Sequence, residues 1–226
     1  MIVVIGSPIG RLADGAIAAA GMAARVALAA AGAGMTVQLV GRIGDDPAAD
    51  AVVLDLVRGG VGHVALLRDG TRVTPLEAPR PADTEPEDAG DDVDPDRGDG
   101  GAADASTAIR SGATLEAEDV DLGLRYLTEF AVVVVAEPVD PTTVAVVAEA
   151  ASWGDARMIV VVAGGAGIPD GLPADAVVFE APAADPDGAF ASLVGQFAAG
   201  LDDGAEPEAA FRATLGSEGW TEAVEG

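Results

Sequence analysis

The chain has 226 residues, with a formal net charge of −26 from 12 basic and 38 acidic side chains; that length suits one large α/β domain or two small ones. All twelve basic residues are arginine and there is no cysteine, which excludes a disulfide framework and thiolate chemistry. No segment supplies the basic stripe that nucleic acid or an anionic membrane surface would require, and no apolar run approaches the roughly 20 residues of a membrane span.

Half of the residues are hydrophobic but only 4% are aromatic, so the expected core is built from small side chains. Met1 leads straight into Ile2-Val3-Val4-Ile5 with no basic segment before it, so no signal peptide is expected and the cytoplasm is the expected location. The acidic, lysine-free composition resembles that of proteins from salt-accumulating halophiles; the rival reading is a GC-rich genome plus one acidic linker. In molar salt the screening length falls to about 3 Å and self-repulsion matters little.

Ile2 to Ile5 is a continuous apolar run ending at Gly6 and predicts a buried strand. Ala18 to Ala31 are almost all helix formers and predict a helix ending at Gly32 and Gly34. Thr36 to Val40 predicts a strand stopped by Gly41. Asp46-Pro47 opens a helix carrying Val52, Val53, Leu56 and Val57 and ending at Gly59-Gly60. This β-α-β-α order predicts a parallel sheet. Val64 to Leu67 and Arg72 to Leu76 flank Asp69-Gly70, the signal of a β-hairpin. Glu77 to Gly112 is rich in Asp, Glu, Pro and Gly, lacks the apolar residues to offset chain entropy, and is expected as a mobile acidic loop within a single 1–226 domain.

Periodicity returns in a helix at Val120 to Leu127, followed by a buried strand at Ala131 to Ala136. A helix from Pro141 to Trp153, a strand from Met158 to Ala163, a Gly164-to-Gly167 loop and a strand from Ala176 to Phe179 come next. Neither the P-loop nor the Rossmann fingerprint is met by that loop, which is expected as a turn. His63 is expected at the surface rather than on a metal, and no metal site is expected. Trp153 and Trp220 are expected to pack.

The stretch Ala183 to Leu201 organises the rest. Asp185-Pro186-Asp187 read as a helix start. From there Phe190, Leu193, Val194, Phe197 and Leu201 recur at helical spacing, and a last helix begins at Pro207-Glu208. With its acidic turn before Ala189-Phe190, this stretch resembles the C-terminal signature of the ribokinase/PfkB family of sugar and nucleoside kinases. The family pattern is Gly-Ala-Gly-Asp followed by Ala-Phe. Its glycine N–H groups form an anion hole for the transferring phosphate, and its Asp is the catalytic base.

Further segments carry the resemblance in the family's order. Gly21 to Ala27 is similar to the two-glycine, Asn-Val-Ala segment, with Ala20 for the first glycine and Arg25 for the Asn. Gly41-Arg42-Ile43-Gly44-Asp45-Asp46 resembles the Gly-Arg-x-Gly-x-Asp turn. Gly59-Gly60-Val61 resembles the Gly-Val that follows it. Ser111 to Leu115 with Glu118 to Val120, and Asp175 to Glu180, resemble two later segments, with Phe179 where the family has Asn. The resemblance implies a mostly parallel sheet sandwiched by helices with a small β-hairpin lid, placed here at Val64 to Leu76. It implies transfer of the ATP γ-phosphate to a sugar or nucleoside hydroxyl with Mg²⁺. Gly21, Arg25, Gly41, Gly44 and Asp46 are carried over as substrate-binding positions, and Gly188 and Ala189 as the anion site.

The departures are systematic. The base position holds Gly188, leaving Asp187 as a base shifted by one residue or as a helix-capping acid. Pro186 has no N–H to offer. Arg11 stands near the family's substrate-binding Asp and cannot accept hydroxyl hydrogen bonds. Only four residues separate Glu180 from Asp185, where the family has two or more strands that hold the nucleotide. Three readings follow: a degenerate, non-catalytic PfkB-like protein that binds a sugar or nucleoside or serves as a partner subunit; an active Mg-ATP-dependent kinase using Asp187 with Arg25; and a structural homodimer subunit pairing through the 64–76 edge, where Leu66→Lys or Val73→Lys should dissociate it.

Overall fold

The computed structural model describes residues 1–13, 15–77, 115–127 and 129–217. Apart from Glu77, the acidic stretch expected as a mobile loop lies outside them, as do Ser111 to Thr114 and Trp220.

Six strands form a parallel sheet: β1 (Ile2–Ile5), β4 (Val37–Gly44), β5 (Val61–Asp69), β6 (Val132–Val135), β7 (Arg157–Ala163) and β8 (Val177–Ala181). Their spatial order is β5-β4-β1-β6-β7-β8. Chain order therefore reverses between β1 and β6, and open α/β sheets bind ligands outside the carboxyl ends of the strands at such a point. A strand with helices on both faces must be apolar throughout, which is why β1 reads IVVI and β6 reads VVVV, every residue buried.

Successive residues serve opposite faces. Ile2, Val4, Val132, Val134 and Ile159 pack in one core with α1 (Gly21–Gly32), α2 (Pro47–Arg58) and α5 (Ala189–Asp202). Val3, Ile5, Val133, Val135 and Val160 pack in the other with α3 (Ala117–Tyr126) and α4 (Pro141–Gly154). The final helix, α6 (Pro207–Ser217), adds Ala210 to the first core. Along α5, Val194, Phe197 and Leu201 are buried and Phe190 and Leu193 partly so, matching the spacing in the sequence. A Cβ at Gly195 would lie 2.6 Å from the Val26 carbonyl oxygen, so a glycine is what allows α5 to approach α1 this closely.

The sheet, the helical layers and a small hairpin agree with the expected architecture, but the hairpin is made by different residues. It consists of β2 (Ile9–Ala13) and β3 (Ala16–Ala20), paired antiparallel. Val64 to Leu67 lie instead in β5, in parallel register with β4. The Asp69-Gly70 turn is real: Asp69 Oδ1 accepts the Thr71 N–H at 2.9 Å. The chain leaving it does not fold back on β5, however; Leu76 bridges to Gly10, and the Glu77 N–H donates to the Gly10 carbonyl at 2.7 Å. A turn dipeptide specifies a reversal, not which strand the departing segment joins.

Three smaller differences have similar causes. Ala18 to Ala20 form a strand edge rather than the start of a helix, because they pair with Ile9 to Arg11, and the tertiary pairing outweighs alanine's helix propensity. The helix begins only at Gly21, at φ +82°. Gly41 does not end β4, which runs on to Gly44. Trp153 is 85% exposed instead of packed.

Candidate functional site

The site is assembled from the carboxyl ends of the strands and the start of α5. Before α5, Gly188 adopts a left-handed φ of +72°, which lets the chain enter the helix from the 185–187 turn. Asp185 is folded under the helix. Its Oδ1 accepts the Phe190 N–H at 3.1 Å and its Oδ2 accepts the Ala191 N–H at 3.0 Å. A carboxylate of the chain thus takes the first-turn donors that a helix N-terminus offers to an anion.

Arg25 of α1 reaches the same turn. Its Nη1 donates to the Asp185 carbonyl oxygen at 2.6 Å, and its Nη2 lies 3.0 Å from both carboxylate oxygens of Glu77. A Cβ at Gly188 would lie 3.4 Å from the Arg25 side chain. The structure therefore brings Arg25, Asp185, Gly188 and Ala189 together, with Glu77 joining them. Asp187 is exposed beside this cluster.

The other carried-over residues lie elsewhere: Gly44 and Asp46 meet at Thr74, Gly41 lies against the end of β1, and Gly21 starts α1, the helix of Arg25. A Cβ on Gly41 would overlap the Gly6 carbonyl oxygen, so its bare backbone lets β4 lie against the end of β1. At Gly44 a Cβ would lie 2.6 Å from the Thr74 nitrogen. Asp46 caps α2, accepting the Ala49 N–H at 2.8 Å through Oδ1 and the Thr74 N–H at 2.6 Å through Oδ2. Burial works against its charged form, but these bonds outweigh it and hold the carboxyl below the usual aspartate range. Gly21 packs on Ile9, whose side chain a Cβ would meet at 3.1 Å.

Arg11, on β2, is half-buried, and its Nε is out of contact with solvent and without a hydrogen-bond partner among the described residues. Phe179 stacks edge-on with Phe190 and Phe197 at 6.4 and 5.3 Å and lies 6.3 Å from Phe211. Phe179 is the centre of an aromatic cluster that binds β8 to α5 and α6. In the Gly164 to Gly167 loop, the Gly165 N–H donates to Glu180 Oε1 at 2.6 Å, so a carboxylate occupies this donor too. His63 is exposed on β5. Among the described residues no group of three His, Asp or Glu could hold a metal ion, and no helix is long and apolar enough to cross a membrane.

The sequence reading missed Glu137. It lies two residues past the end of β6, at the point where strand order reverses, and its Oε1 accepts the Ser7 N–H at 2.6 Å across the ends of β6 and β1. Burial pushes its carboxyl up to about 7, against the opposing pull of the Ser7 N–H. Glu137, Pro138, Val161 and Ala163 form a wall shared by two cavities of about 550 and 190 Å³. The available signal was an acid placed two residues after an all-valine strand.

No protein-family model and no curated protein matches this chain. Solved structures do. Sa239 aligns with a TM-score of 0.62 at 12% identity, over 100% of this chain and 94% of its own. Ribokinase of Arabidopsis thaliana, solved with ribose and ATP, aligns with a TM-score of 0.60 at 14% identity, over 100% and 93%. Phosphofructokinase-2 of Escherichia coli, solved with fructose-6-phosphate, aligns with a TM-score of 0.60 at 13% identity, over 95% and 91%. At these identities the likeness establishes architecture, and it agrees with the six-stranded parallel sheet, the flanking helices and the separate hairpin: the chain has the ribokinase/PfkB-like fold.

Proposed function

We propose that this protein is a catalytically degenerate PfkB-like protein that binds a sugar or nucleoside at the carboxyl ends of its sheet and does not transfer phosphate. The observation that carries this reading is the Asp185 carboxylate seated on the Phe190 and Ala191 N–H groups. A phosphate approaching there would meet a fixed negative charge and donors already engaged. Charge stabilisation at that point is most of what phosphoryl transfer demands of a protein.

Mg-ATP does not fit the residues present. Pro186 supplies no N–H, Gly188 at the base position has no side chain, and only Pro182 to Gly188 link β8 to α5. The relatives support ligand binding in a more general way: ribokinase was solved with ribose, and phosphofructokinase-2 with fructose-6-phosphate. In this chain the candidate ligand site is the cavity at the ends of β6, β7 and β8.

The test is thermal unfolding of the purified chain in molar KCl with Mg-ATP, Mg-ADP, ribose, fructose and nucleosides. A ligand at 100 times its Kd stabilises by about 2.7 kcal/mol, a readable shift. We expect a shift with a sugar or nucleoside and none with nucleotide. ATP-dependent phosphorylation of any of these compounds, abolished by Asp187→Asn, would overturn the proposal in favour of an active kinase.

A second reading, homodimerisation, is favoured by one feature. Strand β5 is an edge of the sheet, and Val64 on it is 70% exposed. An uncovered edge strand is a template for pairing with a second chain. Sedimentation of the chain and of Val64→Lys tests it: a dimer that dissociates in the variant supports the edge contact, and a monomeric parent protein excludes it. Leu66 is a poorer probe because it packs against the core.

A further inference from the structure

The last turns of α3 and α4 lead into the starts of β6 and β7, so they lie at the end of the sheet opposite its carboxyl ends. Between the two helices is a cavity of about 470 Å³. Leu124 and Phe130, both buried, line it, and its polar side chains are Asp121, Arg125 and Glu149. Asp121 and Arg125 engage each other: Arg125 Nε donates to Asp121 Oδ1 at 3.2 Å, and Nη2 donates to Oδ2. Glu149 has no hydrogen bond or ion pair among the described residues. One turn further along α4, Trp153 also lines the cavity and is 85% exposed, unusual for a side chain that is mostly buried in folded proteins.

Three features of this cavity favour a cation. The face of an indole ring attracts positive charge. The lining holds two acids against one arginine, which leaves one negative charge. Both helices bring their carboxyl ends here, and such ends carry partial negative charge. Arg125 offsets that charge in the last turn of α3, but α4 has no basic residue in its last turn and is followed by Asp155. A primary ammonium is a poor match, because it brings three N–H donors and Glu149 is the one lining carboxylate left free to accept. A quaternary ammonium brings none. Its charge is spread over methyl groups that can lie against Leu124, Phe130 and the indole.

We infer that this cavity binds a small quaternary ammonium ion, with Trp153 against the methylated nitrogen and Glu149 as the counter-charge. The site is separate from the ligand site at the carboxyl ends of the sheet and does not depend on it.

The test is calorimetric titration of the full chain, at fixed ionic strength, with choline, tetramethylammonium, methylammonium and 3,3-dimethylbutanol, the uncharged carbon analogue of choline. Choline and tetramethylammonium are expected to bind about tenfold or more tightly than the other two. Trp153→Ala should weaken choline binding about tenfold, and Glu149→Gln about threefold. Both side chains are exposed, so neither change should unfold the protein. Glu208→Gln, an exposed acid on α6 outside the cavity, should leave binding unchanged. Equal affinity for 3,3-dimethylbutanol overturns the inference by showing an apolar pocket alone. Equal weakening by Glu208→Gln overturns it by showing general attraction to an anionic chain. A dimer that dissociates in Trp153→Ala, with no choline binding, overturns it by placing a second copy over the indole. Failure of all four compounds also overturns it, and every one of these outcomes leaves the sugar- or nucleoside-binding reading untouched.

Discussion

The carboxylate of Asp185 accepts the backbone N–H of Ala191 at 3.0 Å, six residues ahead in the chain and inside the first turn of α5. With the companion bond to Phe190 it does the work of a helix cap from outside the helix. Removing such a cap costs about 1 kcal/mol. Asp185→Ala is expected to lower stability in urea unfolding by about that amount, and Asp185→Asn by less, since the amide oxygen still accepts. No loss in either variant would show that the contact does not hold α5.

Glu137 gives the protein a pH dependence whose sign is fixed by the direction of its shift. Its carboxyl is raised from 4.5 to about 7 by burial, so the folded state holds the proton more tightly than the unfolded chain. The associated stability is fully present below about pH 4.5 and is lost as pH rises through 7. The difference in unfolding free energy between the parent protein and Glu137→Gln should decline across that window by up to about 3 kcal/mol. A pH-independent difference would place the carboxyl in solvent.

Asp46 predicts the opposite sign. Its carboxyl lies below the usual value of 3.8 because the Thr74 and Ala49 N–H bonds outweigh its burial. Its contribution is present above that value and lost as pH falls below it. Asp46→Ala removes a helix cap and a bond to a charged acceptor together, an expected loss of about 2–3 kcal/mol at pH 7. The gap between parent and variant should narrow between pH 5 and pH 3.

Gly41 and Gly32 form a matched pair. Alanine at position 41 would drive its Cβ into the Gly6 carbonyl, whereas at position 32, within α1, nothing lies within 4 Å. Gly41→Ala is expected to destabilise by about 3 kcal/mol and Gly32→Ala to stabilise by up to about 1 kcal/mol, both read by denaturant unfolding. Similar behaviour of the two variants would contradict the close approach of β1 and β4.

What the sequence by itself determined were the features governed by local chemistry. The unbroken valine and isoleucine runs of β1, β6 and β7 mark strands covered on both faces. Asp46-Pro47 and Asp140-Pro141 mark the starts of α2 and α4 through a side-chain acceptor and a preset φ. The aromatic and aliphatic spacing from Phe190 to Leu201 marks α5. Only the tertiary structure decided which partner a segment found. Ala18 to Ala20 became a strand because Ile9 to Arg11 lay alongside, and the Asp69-Gly70 turn sent Leu76 to Gly10 rather than back to β5. Glu137 belongs with these. Its neighbour Ser7 is 130 residues away in sequence, and the desolvation that raises its pKa comes from packing that no local pattern encodes. Periodicity and capping act over a few residues, whereas strand pairing and burial are set by contacts between segments far apart in the chain.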